Sequence, residues 1–552
     1  MSVAPLYFSA ISSRLKLIWN GAPISYLWVN SVAALVLTAI YNNTLWARLY
    51  DIVGFHSPSS SYFYIAFFLL ATAVCFALLT IISFLPGYKW CLMALFMVSA
   101  MGGYFIDQYG VYIDSEMITN VLQTDTNEVA DLLSLGFIIH GILFGLLPAL
   151  LVYRLTIKPE KGFVTLLKKA ATPLIALTTA ICICLPVYQT FASVMRAHKE
   201  VRYLVTPSNI IYGVIRALSE SEKISPVVSK LDEAAAMGDS WATANQKPLL
   251  FVFVVGETAR ADHFSLEGYS RNTNPNLQLK DIIYFNHVSS CGTSTAISLP
   301  CIFSNDTRED FSRKSSSEKE NLLDLIAQAG LNVLWVDNNS GCKGVCLRTE
   351  QFTINHQSLD CDSEHCFDLA MLQALETPAD TDTFMVLHQL GSHGPSYYKQ
   401  TPDDQKAFLP DCETSQLQDC SQEEIINAYD NTILYTDLFL SKTIERLGAL
   451  SERYNTALLY VSDHGESLGE SGIYLHAAPY FMAPEEQTHV PMLAWLSNDF
   501  ASRFGIDKGC LKAHADSPLS HDNIYSSLLG VLDIESTTYD SQLDLFTPCM
   551  NR

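Results

Sequence analysis

Residues 457–467 read Ala-Leu-Leu-Tyr-Val-Ser-Asp-His-Gly-Glu-Ser, five apolar residues followed directly by polar ones. A short apolar run of this kind predicts a buried strand, which places Asp463 and His464 at its carboxyl end. An Asp-His pair between a buried strand and a glycine has little packing purpose. Because open α/β sheets form their sites at the carboxyl ends of the strands, this stretch predicts both a sheet and its functional edge.

Other apolar runs of strand character lie on either side of this stretch along the chain: 249–255, 333–336, 383–387 and 490–496. Helical patterns lie between them, at 320–329 and 423–447. Alternating strands and helices predict an α/β domain with a mostly parallel sheet covered on both faces. We expect this domain to occupy residues 248–552, after a linker with short helices at 195–247.

The first 190 residues differ in composition from the rest of the chain. They hold nine Lys/Arg and eight Asp/Glu, whereas the remainder carries a net charge of −24. That acidity argues against a nucleic-acid partner, which requires clustered Lys and Arg. Five largely uncharged stretches in residues 1–194 can each cross ~30 Å of hydrocarbon, and they predict a transmembrane domain with spans at 26–45, 62–85, 90–106, 137–153 and 170–191.

The basic residues of this half indicate its orientation. Arg14 and Lys16 precede the first span, Lys89 joins the second and third, and five basic residues lie between the fourth and fifth. These positions share one side if the N-terminus is cytoplasmic, as the positive-inside rule requires. Five crossings then place the acidic half on the opposite side of the membrane.

Cysteine usage agrees with that orientation. Ten of the 14 cysteines lie in the acidic half, and eight of these ten form close sequence pairs. Their irregular spacing without any Cys-x-x-Cys pair favours disulfides in an oxidising compartment over reduced thiols or a metal site. Spacing alone leaves the connectivity open.

Two further strand ends carry possible metal ligands. Glu257 follows the strand at 249–255, His393 follows the strand at 383–387, and His476 lies shortly after Asp463 and His464. Carboxylates and imidazoles suit Zn²⁺, a Lewis acid toward phosphoryl oxygens. Each residue also has an ordinary interpretation, a turn for Glu257 and a structural histidine for His393.

A hydroxyl-rich segment at 290–301 predicts the start of a helix, where free backbone N–H groups and the helix dipole favour a phosphate. An ordinary helix cap explains the same hydroxyls. The local pattern does not select Thr293, Ser294 or Thr295 as a nucleophile, although a threonine requires activation for that role.

The loop between the third and fourth spans, 109–135, is predicted to be an amphipathic segment on the non-cytoplasmic side. Asn120, Thr124 and Glu128 are four residues apart and share one helix face. On spacing alone, the solvated face of an interfacial helix is the favoured interpretation.

Together these residues resemble the phosphoethanolamine transferase family that modifies lipid A, which includes the mobile colistin-resistance enzymes. The resemblance covers essentially the whole chain and rests on five motifs in order behind five spans: 254–262, 291–301, 337–340 with Lys343, 388–395 and 462–470.

The resemblance implies a soluble α/β/α domain of alkaline-phosphatase or sulfatase type, attached to a five-helix transmembrane domain. It implies Thr295 as the catalytic nucleophile, one catalytic Zn²⁺ with room for a second, and the metal ligands Glu257, Thr295, Asp463 and His464. It also implies substrate contacts for eight residues: Asn120, Thr124, Glu128, Asn339, Ser340, Lys343, His393 and His476. For the 109–135 segment, the resemblance therefore favours a role in substrate binding over the solvated face of an interfacial helix. It implies four disulfides between sequence neighbours: Cys291–Cys301, Cys342–Cys346, Cys361–Cys366 and Cys412–Cys420. Cys510 and Cys549 then remain as the fifth pair.

The activity implied is the transfer of phosphoethanolamine from phosphatidylethanolamine to a lipid A phosphate, through an intermediate on Thr295. We then expect a monomer in the bacterial inner membrane with a periplasmic catalytic domain, and resistance to cationic peptides such as polymyxins. Alternatives on the same fold are transfer of phosphoethanolamine or phosphoglycerol to another envelope glycan, and phosphate or sulfate ester hydrolysis. A membrane sensor or scaffold that has lost catalysis is the alternative from another class.

Overall fold

The structure is a computed structural model that describes residues 23–55, 57–123, 129, 132–158, 162–220, 228–242, 246–358, 360–361 and 366–551. The chain divides into two compact units, the described parts of 1–118 with 133–215, and of 119–132 with 216–552. The predicted limits at residues 194 and 247 divide the chain more finely than these units, and they stay predictions.

The first unit is helical. Its helices and those that follow, as far as residue 220, are α1 (Tyr26–Ile40), α2 (Asn43–Val53), α3 (Pro58–Ile82), α4 (Tyr88–Tyr109), α5 (Ser115–Gln123), α6 (135–154), α7 (163–197) and α8 (Ser208–Glu220). Helix α3 begins with Pro58 after a capping box between Ser57 and Ser60, and α4 ends at the left-handed Gly110.

Among the described residues, four helices are long and apolar enough to cross a membrane: α3, α4, α6 and α7. Four of the five predicted spans fall on these helices. The first predicted span falls on α1, which has 15 residues and a length of about 22 Å, short of the ~30 Å of a bilayer core. Five spans therefore stay a prediction, whereas the apolar helical region is established.

The second unit contains a seven-stranded sheet with strands β1 (Leu249–Gly256), β2 (Ile283–Phe285), β3 (Asn332–Asp337), β4 (Glu350–Phe352), β5 (Thr383–His388), β6 (Asn455–Ser462) and β7 (Met492–Leu496). Their order is β2-β7-β6-β1-β5-β3-β4. Strand β1 pairs in parallel with β5 and β6, while β7 is antiparallel to β6 and β2. The sheet is thus mostly parallel, with an antiparallel strand near one edge.

Both faces of the sheet are buried, as expected of central parallel strands. Along β1, Phe251 and Phe253 pack into one core, and Leu250, Val252 and Val254 pack into the other. The helices and remaining short segments of this unit are α9 (Thr295–Ile302), α10 (Arg313–Ser317), α11 (Leu322–Ala329), α12 (Gln422–Leu450), α13 (Glu485–Thr488), α14 (Asn498–Arg503), α15 (Lys508–Ala513) and α16 (Asp522–Val531), with two-stranded pairs at 236–237 with 534–535, 288–289 with 519–520, and 467–468 with 474–475.

Helices from different parts of the chain cover the two cores. Helix α12 packs on one face through Ile425 and Tyr429, and α11 and α16 pack on the other through Leu323 and Leu528. The result is the α/β/α arrangement that the alternating pattern predicts.

Ten cysteines of the second unit form five disulfides: Cys291–Cys301, Cys342–Cys346, Cys361–Cys366, Cys412–Cys420 and Cys510–Cys549. The first four are the pairs that the family resemblance implies, and the fifth is the pair that remains after them. The other four cysteines are free and lie in the first unit: Cys75, Cys91, Cys182 and Cys184.

Candidate active site

The ends of β1 and β6 bring three acidic and imidazole side chains together. Gly256 lies opposite Ser462 in the parallel register, so the residues that follow these two positions meet at one edge. One ligand atom from each of Glu257, Asp463 and His464 lies within 4.8 Å of the others, and all three side chains are buried. His464 Nε2 is 3.5 Å from Glu257 Oε1 and 3.5 Å from Asp463 Oδ2.

Thr295 joins this cluster from the start of α9. Its hydroxyl lies 3.0 Å from both carboxylate oxygens of Glu257 and 3.4 Å from His464 Nε2. The neighbouring hydroxyls are placed differently, because Thr293 donates to the carbonyl of Ala478 at 2.7 Å. The Ser294 hydroxyl is buried and has no hydrogen-bond partner among the described residues. Of the three hydroxyls that the local pattern leaves equivalent, the one that contacts the cluster is therefore that of Thr295.

The protonation pattern of these side chains fits a divalent cation. His464 Nδ1 donates to the carbonyl of Gly465 at 2.8 Å, which leaves the lone pair of Nε2 facing the two carboxylates. Asp463 Oδ1 accepts from the backbone N–H groups of Thr258 and His464. Asp463 Oδ2 is buried and has no hydrogen-bond partner among the described residues. Asp463 Oδ2 and the lone pair of His464 Nε2, two buried acceptors that face each other, are therefore typical of metal ligands.

The pKa values of the cluster show the same need for positive charge. Burial, and then the charge of Glu257, raises the pKa of Asp463 well above its ordinary value. Burial also raises the pKa of Glu257, but nearby imidazoles, His464 foremost, outweigh it and lower that pKa to about 2. Burial lowers the pKa of His464. A bound cation would offset the repulsion between the two carboxylates.

Two side chains hold Glu257 in place: that of Thr258, which the sequence pattern does not single out, and that of Asn339. Thr258 has a φ of 59°, uncommon for a residue with a Cβ, and its hydroxyl donates to Glu257 Oε1 at 2.6 Å. Asn339 Nδ2 donates to Glu257 Oε2 at 2.7 Å and to the carbonyl of Gln389 at 2.8 Å. Asn339 was predicted to contact substrate, and in this structure it also supports a metal-ligand candidate.

His393 and His476 lie beside the cluster. Their ring centroids are 5.7 Å apart, and the ring of His476 is 4.6 Å from that of His464. His476 Nδ1 lies 2.9 Å from Glu466 Oε2, and Tyr397 donates to Glu466 Oε1 at 2.5 Å. Glu466 lies in the motif at 462–470, but sequence spacing does not predict its contact with His476, which orients that imidazole.

Ser340 and Lys343 lie in the loop after β3. Lys343 Nζ donates to Ser340 Oγ at 2.7 Å, and the backbone N–H of Ser340 donates to Asn339 Oδ1 at 2.5 Å. This loop is thereby connected to the cluster through Asn339. Of the remaining predicted substrate contacts, Asn120 is half-buried on α5, and the other two, 124 and 128, lie outside the described residues.

A second polar network stabilises the β3 and β5 ends of the same edge. His388 is fully buried, and its Nδ1 is 3.0 Å from Asp337. Asp368 accepts hydrogen bonds from Asn338 and from the backbone N–H groups of Leu390 and Gly391. The sequence offers only a weak indication of this network, since Asp368 lies in no motif.

Comparison with known proteins agrees with this architecture. The profile of the family described as Sulfatase matches residues 250–534, and that of the family described as Phosphoethanolamine transferase EptA/EptB matches residues 71–221. The fold and the buried site therefore define a membrane protein with a soluble domain of sulfatase type.

Individual relatives narrow this class. The chain is 38% identical to phosphoethanolamine transferase EptA of Salmonella typhimurium, over 87% of this chain and 89% of that protein. It is 35% identical to phosphatidylethanolamine transferase Mcr-1 of Escherichia coli, over 94% of this chain and 96% of that protein. The structure of lipooligosaccharide phosphoethanolamine transferase A from Neisseria meningitidis superposes with a TM-score of 0.90 at 34% identity, over 96% of this chain and 99% of that one. The chain belongs to the lipid A phosphoethanolamine transferase family and is an enzyme, a phosphotransferase.

Proposed function

We propose that this enzyme transfers phosphoethanolamine from phosphatidylethanolamine to a phosphate of lipid A, through a covalent intermediate on Thr295. The observation that supports this most directly is the position of the Thr295 hydroxyl, 3.0 Å from both oxygens of the buried Glu257 carboxylate. A hydroxyl that lies among three candidate metal ligands suits a nucleophile rather than a structural cap. The named activities of the relatives agree with this assignment.

Glu257, Thr295, Asp463 and His464 would hold a zinc ion, because oxygen and imidazole donors are the ligands that zinc takes at catalytic sites. Zinc bound there supplies a Lewis acid that polarises the phosphoryl group and lowers the pKa of the Thr295 hydroxyl. His393 and His476 lie next to this set, where they would contact the phosphoryl group or hold a second zinc.

In the first half-reaction, the Thr295 oxygen attacks the phosphorus of the donor. The bond between phosphorus and the glycerol oxygen breaks, and diacylglycerol leaves. The hydroxyl proton passes to solvent, and Glu257, which accepts a hydrogen bond from Thr295, orients the attacking oxygen. His476, oriented by Glu466, gives a proton to the departing glycerol oxygen.

In the second half-reaction, a phosphate oxygen of lipid A attacks the same phosphorus. The bond to Thr295 breaks, a diphosphate bond forms, and Thr295 regains a proton from solvent, while the hydroxyl proton of the attacking phosphate passes to His476 and restores it. Asn339, Ser340 and Lys343 bind the phosphoethanolamine in both steps, since their loop is tied to Glu257. Asn120, Thr124 and Glu128 contact the substrate from the 109–135 segment.

The transfer changes the charge of the envelope. Each added ethanolamine ammonium reduces the net negative charge of lipid A, which weakens its attraction for cationic peptides such as colistin. We place the enzyme in the bacterial inner membrane as a monomer, with the N-terminus cytoplasmic and the catalytic domain periplasmic. The basic loops of residues 1–190 and the five disulfides of the second unit support this placement.

The test is to incubate the purified enzyme with phosphatidylethanolamine in the absence of an acceptor. We expect diacylglycerol release and a peptide carrying phosphoethanolamine on Thr295. Thr295→Ala should give neither product, whereas Ser294→Ala, which removes the adjacent hydroxyl, should keep both. Transfer to lipid A by Thr295→Ala would refute the proposal, and continuous release of free phosphoethanolamine by the wild type would favour ester hydrolysis.

A further inference from the structure

A cavity of about 740 Å³ lies beside the candidate site in the second unit. Ser340 and Lys343 form one wall, and the residue before Ser340 is Asn339, which contacts Glu257. Pro300 contributes from α9, the helix that begins with Thr295. The cavity therefore adjoins the residues that would bind the transferred group, and its volume is in the range of ligand pockets.

The charged residues that line this cavity are all cationic, although residues 191–552 carry a net charge of −24. No Asp or Glu occurs among the described lining residues. Four cationic side chains line the cavity: Arg313, Lys319, Lys343 and Arg348. Lys343 belongs to the loop assigned above to the transferred group. The other three cations have no role in that assignment.

Acidic residues behind the wall hold two of these cations in position. Arg348 donates from Nε and Nη2 to the two carboxylate oxygens of Asp324, at 2.7 and 2.5 Å. Lys319 lies 2.6 Å from Asp306. Neither carboxylate lines the cavity. Arg313 lies on α10, whose Ser316 also lines the cavity, so a guanidinium and a hydroxyl-bearing residue border the same space. Ser317 lines it too, but its hydroxyl donates to the carbonyl of Lys314 at 2.8 Å.

This donor set matches a phosphate monoester. The guanidinium geometry suits two phosphate oxygens at once, and serine hydroxyls complete such sites. The cavity wall is also partly apolar, since Pro300, Val345 and the exposed Leu347 contribute to it. An anionic amphiphile fits this combination better than a free inorganic anion.

We propose that this cavity binds a second phosphate of the acceptor lipid, the one that is not being modified, with Arg313 among its ligands. The inference rests on the proposed transfer to a phosphorylated lipid. It predicts that an acceptor with two phosphates is a better substrate than the same lipid with one.

The experiment compares lipid A carrying two phosphates with the monophosphorylated form as acceptors for the full-length enzyme in detergent. We expect the wild type to use the bisphosphorylated lipid with a kcat/KM about ten- to a hundredfold higher, the effect of one charge-assisted contact. Arg313→Ala should remove that preference by raising the KM for the bisphosphorylated lipid. Arg313→Ala should leave the rate for the monophosphorylated lipid unchanged, as well as diacylglycerol release without an acceptor.

Lys314→Ala is the matched control, because Lys314 is the next cation on α10 and does not line the cavity. It should keep the preference for two phosphates. Equal use of both lipids by the wild type would overturn the inference, as would an equal loss with both lipids in Arg313→Ala, or slower diacylglycerol release in that variant. Failure of the wild type to form the Thr295 intermediate would instead count against the proposed function.

Discussion

Gly391 allows a close approach between the β5–α12 connection and Glu257, and replacing it with alanine should disable the site. Gly391 has a φ of +56°, and a Cβ at this position would lie 2.6 Å from the carbonyl oxygen of Glu257. The same Cβ would lie 3.1 Å from the Cβ and the backbone nitrogen of Glu257. The substitution therefore presses directly on a residue that we assign to the metal.

The size of the effect follows from these distances. A left-handed conformation costs an alanine about 1 kcal/mol. Ordinary contacts of carbon lie near ~3.5 Å, so the backbone of Gly391 or Glu257 must move by about 0.9 Å. A displacement of roughly 1 Å at a catalytic centre costs about a hundredfold in rate. We expect Gly391→Ala to lose about 1–3 kcal/mol of stability and about a hundredfold in transfer rate.

The measurements are the unfolding free energy in urea, zinc content by mass spectrometry and the rate of phosphoethanolamine transfer. Gly472→Ala is the control, because Gly472 has a φ of +74° and open space where a Cβ would lie. It should show the conformational cost alone, with full zinc content and activity. A Gly391→Ala enzyme that binds zinc and transfers at the wild-type rate would refute this reasoning.

Two further predictions concern a buried hydroxyl and an exposed ion pair. Tyr397→Phe removes the donor to the buried Glu466 carboxylate, so we expect the free energy of unfolding in urea to fall by about 1.5–3 kcal/mol. Transfer should also be slower, since Glu466 orients His476. Tyr398→Phe, at the next position, should change neither quantity. Lys512 and Lys508 lower the pKa of Asp281 from 3.8 to about 2, so its stabilising contribution is complete above about pH 4 and disappears as the pH falls toward 2. Asp281→Asn should therefore flatten the decline of the unfolding free energy over that interval, and an unchanged acid profile would contradict the assignment.

Most of the sheet could be predicted from the sequence, because its central strands are buried on both faces. Such strands are continuous apolar runs, and the first polar residue after each run marks the carboxyl edge. In this way the runs at 249–255 and 457–461 predicted the positions of Glu257 and Asp463 with errors of one or two residues in the strand ends. The antiparallel direction of β7 could not be predicted, since an apolar run has no direction.

The membrane helices show a different limit. Hydropathy located four of them, because a lipid-facing helix needs an apolar surface of sufficient length. The predicted first span extends beyond the end of α1 at Ile40 and into the separate helix α2, which begins at Asn43. Hydropathy does not predict this end of a helix, because the two residues between α1 and α2 include no proline or glycine.

What the sequence determined by itself is therefore local: strand positions, apolar helices, cysteines spaced as disulfide partners, and the residue types able to hold a metal. The family resemblance implied Thr295 as the nucleophile, but only the tertiary structure gives the physical distinction: the hydroxyl of Thr293 donates to the carbonyl of Ala478, 185 residues away in sequence, whereas that of Thr295 lies beside Glu257. The tertiary structure alone joined Glu466 to both Tyr397 and His476, and gathered Arg313, Lys319 and Arg348 around one cavity. The physical reason is that hydrogen bonds and electrostatic fields act over a few ångströms of space, whatever the number of residues between the groups.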